Sequence, residues 1–213
     1  MNKIEENKQR VRKILGKLEK VYPAIQCPLK HSNPWELLVA TILSAQCTDK
    51  RVNLVTPALF AKYRTIRDYA QACSGELEKL IQSTGFYRSK AKNIQGAAEA
   101  ILRKYDGKVP DRMEDLVELP GVGRKTANVL LGHAFDTPGL SVDTHMIRLN
   151  GLLGFTRHRS PVKIEHDLME IVPVKKWTLY SDLIIRHGRV RCVARRPECA
   201  RCEIKVYCPS AKK

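Results

Sequence analysis

Residues 119–145 read LPGVGRKTANVLLGHAFDTPGLSVDTH, and the rest of the fold is built outward from them. Gly121 and Gly123 flank Val122 in a tight turn, where a missing Cβ permits positive φ and lets the backbone come close to a ligand. Past the turn, Ala127, Val129, Leu130, Leu131 and Ala134 give 126–135 the composition of a buried helix. Before it, Asp111 and Glu114 have the spacing of a helix start with a capping-box partner, and Met113, Leu116 and Val117 supply an apolar face. The pattern is helix, short hairpin, helix.

A hairpin of this kind leaves the first amides of its second helix pointing outward, where the helix dipole favours an anion. Gly121, Val122 and Gly123 are therefore candidates to hold a DNA phosphate through the backbone. Such contacts give affinity without reading sequence. Taken alone, the turn is equally a plain connection between helices. Lys125 adds chemistry. It stands in the first helical turn, where the positive end of the dipole disfavours an ammonium and burial would lower its pKa further. A neutral lysine amine forms Schiff bases with carbonyl-like carbons, which on DNA means the anomeric carbon of a deoxyribose. A charged one would only pair with phosphate. Asp143, within SVDTH at 141–145, is placed to cap the apolar-periodic run that follows. A capping carboxylate stays ionised, so the same group can stabilise positive charge on a sugar as a glycosidic bond breaks.

The chain of 213 residues, 43% hydrophobic, suffices for one or two small domains with cores of their own. A formal net charge of +16 points to a polyanionic partner. No apolar run approaches the roughly 20 residues that a membrane span needs, and the start, MNKIEENKQRVRKIL, has no signal-peptide core. The expectation is a monomer that works on DNA in a reducing compartment, cytoplasmic and nucleoid-associated, with no membrane partner.

Along the chain, 3–22 is an amphipathic helix with Val11, Ile14, Leu15, Leu18 and Val21 on one face. Past a loop holding Cys27, Asn33 caps a helix with Pro34 at its first position and Glu36 at its third. Residues 35–45 are apolar nearly all round, the mark of a core helix. It ends in SAQCTD at 44–49, where Thr48 can cap the next helix, which Pro57 should kink or break. By position alone, Gln46 reads as a surface residue at a helix end.

Two short helices are expected across 65–81, parted near Ser74 and Gly75, with Cys73 in the packing. Gly85 and Phe86, the latter by itself a core phenylalanine, precede a helix at 90–105. After Asp143 come a helix to about Gly151, a basic turn at Arg157, His158 and Arg159, and a helix opened by Ser160 and Pro161 and stopped by Pro173. A last helix spans 177–187, with Gly188 as its terminator. Nothing alternates like a strand, so the fold class is all-α.

The tail carries Cys192, Cys199, Cys202 and Cys208, a C-x6-C-x2-C-x5-C loop. Thiols crowded into so short a segment read as ligands of one metal centre, and softness alone admits zinc or iron–sulfur. Arg186, Arg189, Arg191, Arg195, Arg196, Arg201, Lys205, Lys212 and Lys213 stand near them against Glu198 and Glu203, a local net of +7. A metal would hold this basic loop in shape, with Arg191, Arg195 and Arg196 as candidate phosphate contacts.

LPGVGRKTAN at 119–128 followed by VDTH at 142–145, together with SAQCTD, GFYRSKA at 85–91 and the cysteine spacing, resembles the endonuclease III family of DNA glycosylases over nearly the whole chain. The resemblance implies Lys125 as nucleophile and Asp143 as the essential carboxylate. It also implies that Gln46 enters DNA at the gap left by an extruded base, that Phe86 wedges into the opposite strand, and that the four cysteines hold a 4Fe-4S cluster. It implies two helical domains, 27–137 with the helix-hairpin-helix motif and 1–26 plus 138–213 with the cluster loop. The activity implied is that of a bifunctional DNA glycosylase and AP lyase, removing oxidised or damaged pyrimidines from a pocket between the domains and nicking 3′ to the abasic site by β-elimination. Its partner would be double-stranded DNA containing damaged bases or abasic sites. Two alternatives stay open: a monofunctional adenine-mismatch glycosylase of the same fold, which looks different in lacking a lysine at the position of Lys125, and a non-catalytic DNA-binding module with a structural metal.

Overall fold

The structure, a computed structural model, describes residues 2–211, and all regular structure among them is helical. In chain order the α-helices are α1 (Lys3–Val21), α2 (Pro34–Leu43), α3 (Asp49–Lys62), α4 (Ile66–Ala70), α5 (Ser74–Ile81), α6 (Tyr87–Lys104), α7 (Met113–Leu116), α8 (Arg124–Ala134), α9 (Thr144–Leu152), α10 (Pro161–Ile171) and α11 (Trp177–Val190). Short 3-10 turns lie at Gln82–Thr84, Val174–Lys176, Cys199–Arg201 and Lys205–Tyr207. Contacts divide the chain into two compact units, Cys27–Thr137 and Met1–Gln26 with Pro138–Lys213.

In the unit Cys27–Thr137, α2 is the central element. Its start is fixed locally: Asn33 Oδ1 accepts from the Glu36 amide at 2.9 Å, and Glu36 Oε2 accepts from the Ser32 amide at 2.6 Å. Leu37, Leu38, Val39, Ala40 and Leu43 are fully buried, so α2 packs on all sides, against α3, α6 and α8. Each buried leucine contributes about 1.5–3 kcal/mol relative to exposure. In the other unit, the stripe Val11, Ile14, Leu15 and Leu18 of α1 joins Leu149 of α9, Ile164 and Leu168 of α10, and Leu183 and Ile184 of α11 in one core. Tyr180 and Asn150, both buried there, satisfy each other through a hydrogen bond from the phenol to Asn150 Oδ1.

Several elements depart from the expectations, each for a local reason. Helix α3 runs unbroken past Pro57, whose missing amide and ring weaken the ladder locally without ending the helix. α4 and α5 part at residues 71–73, with Ser74 already helical, and Cys73 is exposed. α6 starts three residues earlier than expected, directly after Phe86. Arg112, not Asp111, is the N-cap of α7, with no side-chain cap bond. Gly188 does not end α11, which continues to Val190. A Cβ on Gly188 would meet His145 Nδ1 at 3.0 Å and Leu149 Cδ1 at 3.2 Å, so the glycine serves the close approach of α11 to α9.

Candidate active site

The hairpin between α7 and α8 is pinned from below. Leu119 and Val122 are buried, and the Val122 amide donates to Leu119 O at 3.0 Å. Gly121 has φ +77°, and a Cβ there would lie 2.8 Å from the Asn93 Cβ of α6, so the turn needs glycine twice over. Gly123 corrects the expectation of positive φ at both glycines. Its backbone is extended (φ −95°, ψ 174°), which any residue adopts, and a Cβ would meet nothing within 4 Å. What its missing side chain leaves is open space over the N-terminus of α8. The first intrahelical bond runs from the Ala127 amide to Gly123 O at 3.0 Å, and Gly123, as N-cap, has no side chain to offer the first-turn amides. Lys125, the second residue of α8, is exposed, so the expected burial around its amine is not present.

Asp143 is positioned by a strap, residues 138–142, laid along α11. Thr178 Oγ1 accepts from the Gly139 amide at 3.3 Å and donates to Gly139 O at 3.2 Å, and Ser181 Oγ accepts from the Ser141 amide at 3.1 Å. Leu140 and Val142 are buried beneath it. Asp143 then caps α9, its Oδ1 accepting from the Met146 amide at 2.9 Å, and it is only partly buried. Thr178 and Ser181 were missed from the sequence, where their spacing of three on a helix of known apolar face was the available signal.

Gln46 and Phe86 share a conformation. Gln46 is exposed with φ +51°, and Phe86, 65% exposed, has φ +49°. The reading of Phe86 as a core residue is therefore overturned. Left-handed backbone at a bulky side chain is an outlier that its surroundings must hold in place. Here each residue stands just outside a helix, Gln46 after α2 and Phe86 as the N-cap of α6.

All four tail cysteines, Cys192, Cys199, Cys202 and Cys208, line one cavity of about 410 Å3, counted with its opening to solvent. Leu149, Leu152, Leu153 and Ile204 form its apolar wall. Burial pushes the Cys202 and Cys208 thiols up, so thiolates at these positions need a cation to sustain them. Donors are aimed at the sulfurs: Arg148 Nη1 lies 3.6 Å from Cys192 Sγ and donates to Cys192 O at 2.6 Å, and His187 Nε2 lies 3.4 Å from Cys202 Sγ, with Tyr22 Oη 3.2 Å from His187 Nδ1. This donor set fits a sulfur-ligated metal group. His187, Cys202 and Glu203 each place one ligand atom within 4.8 Å of the others at the edge of this cavity. The C-terminal end of α9 thus lines the cysteine cavity while its N-terminus carries Asp143.

The basic residues of the loop differ in their engagement. Arg191 pairs with Glu198 and, at 3.0 Å, with Glu203, and is only 22% exposed, so its fork is engaged by two carboxylates within the loop. Arg195 and Arg196 are exposed. Lys212 and Lys213 lie outside the described residues. Among the described residues no helix is long and apolar enough to cross a membrane.

Residues 39–174 match the family described as HhH-GPD superfamily base excision DNA repair protein, and the chain belongs to that superfamily. Within it, the chain is a member of the endonuclease III family. It is 52% identical over 213 residues to the endonuclease III of Synechocystis sp., covering 100% of this chain and 97% of that protein. A solved non-covalent complex of an endonuclease III with DNA is 45% identical, covers 96% of each chain and superposes with a TM-score of 0.91. A trapped covalent intermediate of an endonuclease III with DNA is 45% identical, with the same coverage and a TM-score of 0.91.

Proposed function

We propose that this protein is a bifunctional DNA glycosylase and AP lyase of base excision repair, acting on oxidised or damaged pyrimidines in duplex DNA. The observation that carries the reading is Lys125, exposed in the first turn of α8 on a hairpin whose Gly123 leaves open space beside the helix N-terminus. A phosphate bound to those amides would hold the backbone of one strand while Lys125 reaches the adjoining sugar. In the neutral form that the positive end of the α8 dipole favours, its amine attacks C1′, the glycosidic C1′–N bond breaks, and the base leaves with the proton the new C1′–N adduct sheds. Asp143, kept at its place by the cap and the strap, stabilises the positive charge that develops on the sugar. Opening of the sugar ring at the C1′–O4′ bond turns this adduct into an imine, which acidifies C2′, and β-elimination then breaks the 3′ C–O bond. Gln46 and Phe86 fill the gap left by the extruded nucleotide, their exposure and strained backbone being the support for that role.

A 4Fe-4S cluster would be held by Cys192, Cys199, Cys202 and Cys208, supplying structural order to the loop. The C-x6-C-x2-C-x5-C spacing and membership of the endonuclease III family support this cluster over a single zinc ion. Arg195 and Arg196 would contact phosphate from the loop so ordered. The protein would work as a monomer on nucleoid DNA in the cytoplasm. A duplex with one oxidised pyrimidine tests the reading: the protein is expected to release the base and leave a nick with a 3′ unsaturated aldehyde, whereas release with an intact abasic strand would mark a monofunctional enzyme.

A further inference from the structure

Lys90 is 4% exposed, on the apolar stripe of α6 that continues through Ile94, Ala97 and Ile101. Its ammonium does not pair with a carboxylate. Nζ donates to Leu43 O at 2.8 Å and to Thr84 O at 2.8 Å. Burial lowers its pKa from the ordinary lysine value. Leu43 is the last residue of α2, and Thr84 is the last of the 3-10 turn Gln82–Thr84, so one cation caps two helix ends where the dipole favours positive charge. The two carbonyls it bridges can be no more than twice 2.8 Å apart. Three residues beyond Leu43 stands Gln46, and two beyond Thr84 stands Phe86, both exposed and both left-handed.

We infer that Lys90 is the positioning residue for DNA gap filling: its ammonium locks the two segments together, so that Gln46 and Phe86 are presented at a fixed separation. The inference rests on the gap-filling role proposed above for those two residues. A merely packed lysine would cap one end or reach solvent. The site also explains how both strained residues persist, because a non-glycine left-handed backbone needs surroundings that over-determine it. Lys90 touches no DNA in this account and acts only through the two segments it joins.

The test is a mutant cycle read by single-turnover excision on a duplex with one oxidised pyrimidine, with thermal melting and amide hydrogen exchange measured on each variant. Lys90→Met keeps the length and removes the donors, and Lys90→Gln runs beside it as the gentler variant. Loss of registration by a fraction of an ångström to an ångström should slow excision on the order of tenfold to a hundredfold. In a Gln46→Ala/Phe86→Ala background the same change should cost less than about twofold, the non-additivity of residues that act as a unit. Amide exchange should rise in 44–48 and 85–89 and stay unchanged in the rest of the unit. Additive losses, or exchange that rises throughout the unit in step with a lower melting temperature, would overturn the inference, as would failure of both Lys90 variants to fold. If Gln46→Ala and Phe86→Ala alone leave excision at its full rate, the gap-filling role itself fails and the inference falls with it.

Discussion

Asp143 has two jobs that one pair of substitutions separates. Asparagine caps a helix as well as aspartate, so Asp143→Asn should melt close to the parent while base excision falls by orders of magnitude, and Asp143→Ala should lose about 1 kcal/mol of stability as well. Equal activity in the parent and Asp143→Asn would reduce the residue to a cap. The two hairpin glycines divide in a similar way. Gly121→Ala forces a Cβ to 2.8 Å from Asn93 at φ +77°, and left-handed strain alone costs about 1–2 kcal/mol. Gly123→Ala meets nothing within the protein, so its melting temperature should hold while affinity for an abasic duplex drops. Thermal melts and a binding titration on the two variants would read this contrast. Such distinctions arise at single residues because the backbone conformation at each is set by neighbours that the sequence does not display.

At the scale of elements, the tail loop is the part whose charges have divided roles. Arg191→Ala should lower iron content and loop stability by freeing Glu198 and Glu203, with little change in the salt dependence of DNA binding. Arg195→Ala and Arg196→Ala should keep iron content and each reduce the salt slope by about one. Iron analysis and binding at several salt concentrations separate the outcomes, and a lowered slope in Arg191→Ala would return that residue to the DNA surface. What could be read ahead of the structure follows the same division. Asn33 with Pro34, Thr48 and Asp143 were legible as caps because a cap is decided within about four residues. The four tail cysteines were legible as one group from their close spacing, and they line a single cavity. Gly188 was misread as a terminator, and the pairing of Arg191 was not foreseen, since both depend on His145, Leu149, Glu198 and Glu203, which only folding brings near. Lys90 went unremarked although it stands in register with the apolar stripe of α6, a signal present in the sequence.

For the whole molecule, a net charge of +16 with exposed arginines on the tail loop makes binding largely electrostatic. Between 50 and 200 mM salt the affinity for duplex DNA should fall on the order of a thousandfold, the loss expected for about six phosphate contacts. A shallow dependence would argue for a protein partner instead. The central claim, that Lys125 forms a covalent bond with the sugar, is tested most directly by borohydride trapping. The protein is incubated with a labelled duplex containing one oxidised pyrimidine, then reduced, with Lys125→Gln run in parallel. The account predicts a covalent protein–DNA band that is absent from Lys125→Gln while binding of the variant to the duplex persists. A band of equal strength in Lys125→Gln, or no band from the parent despite tight binding, would contradict it.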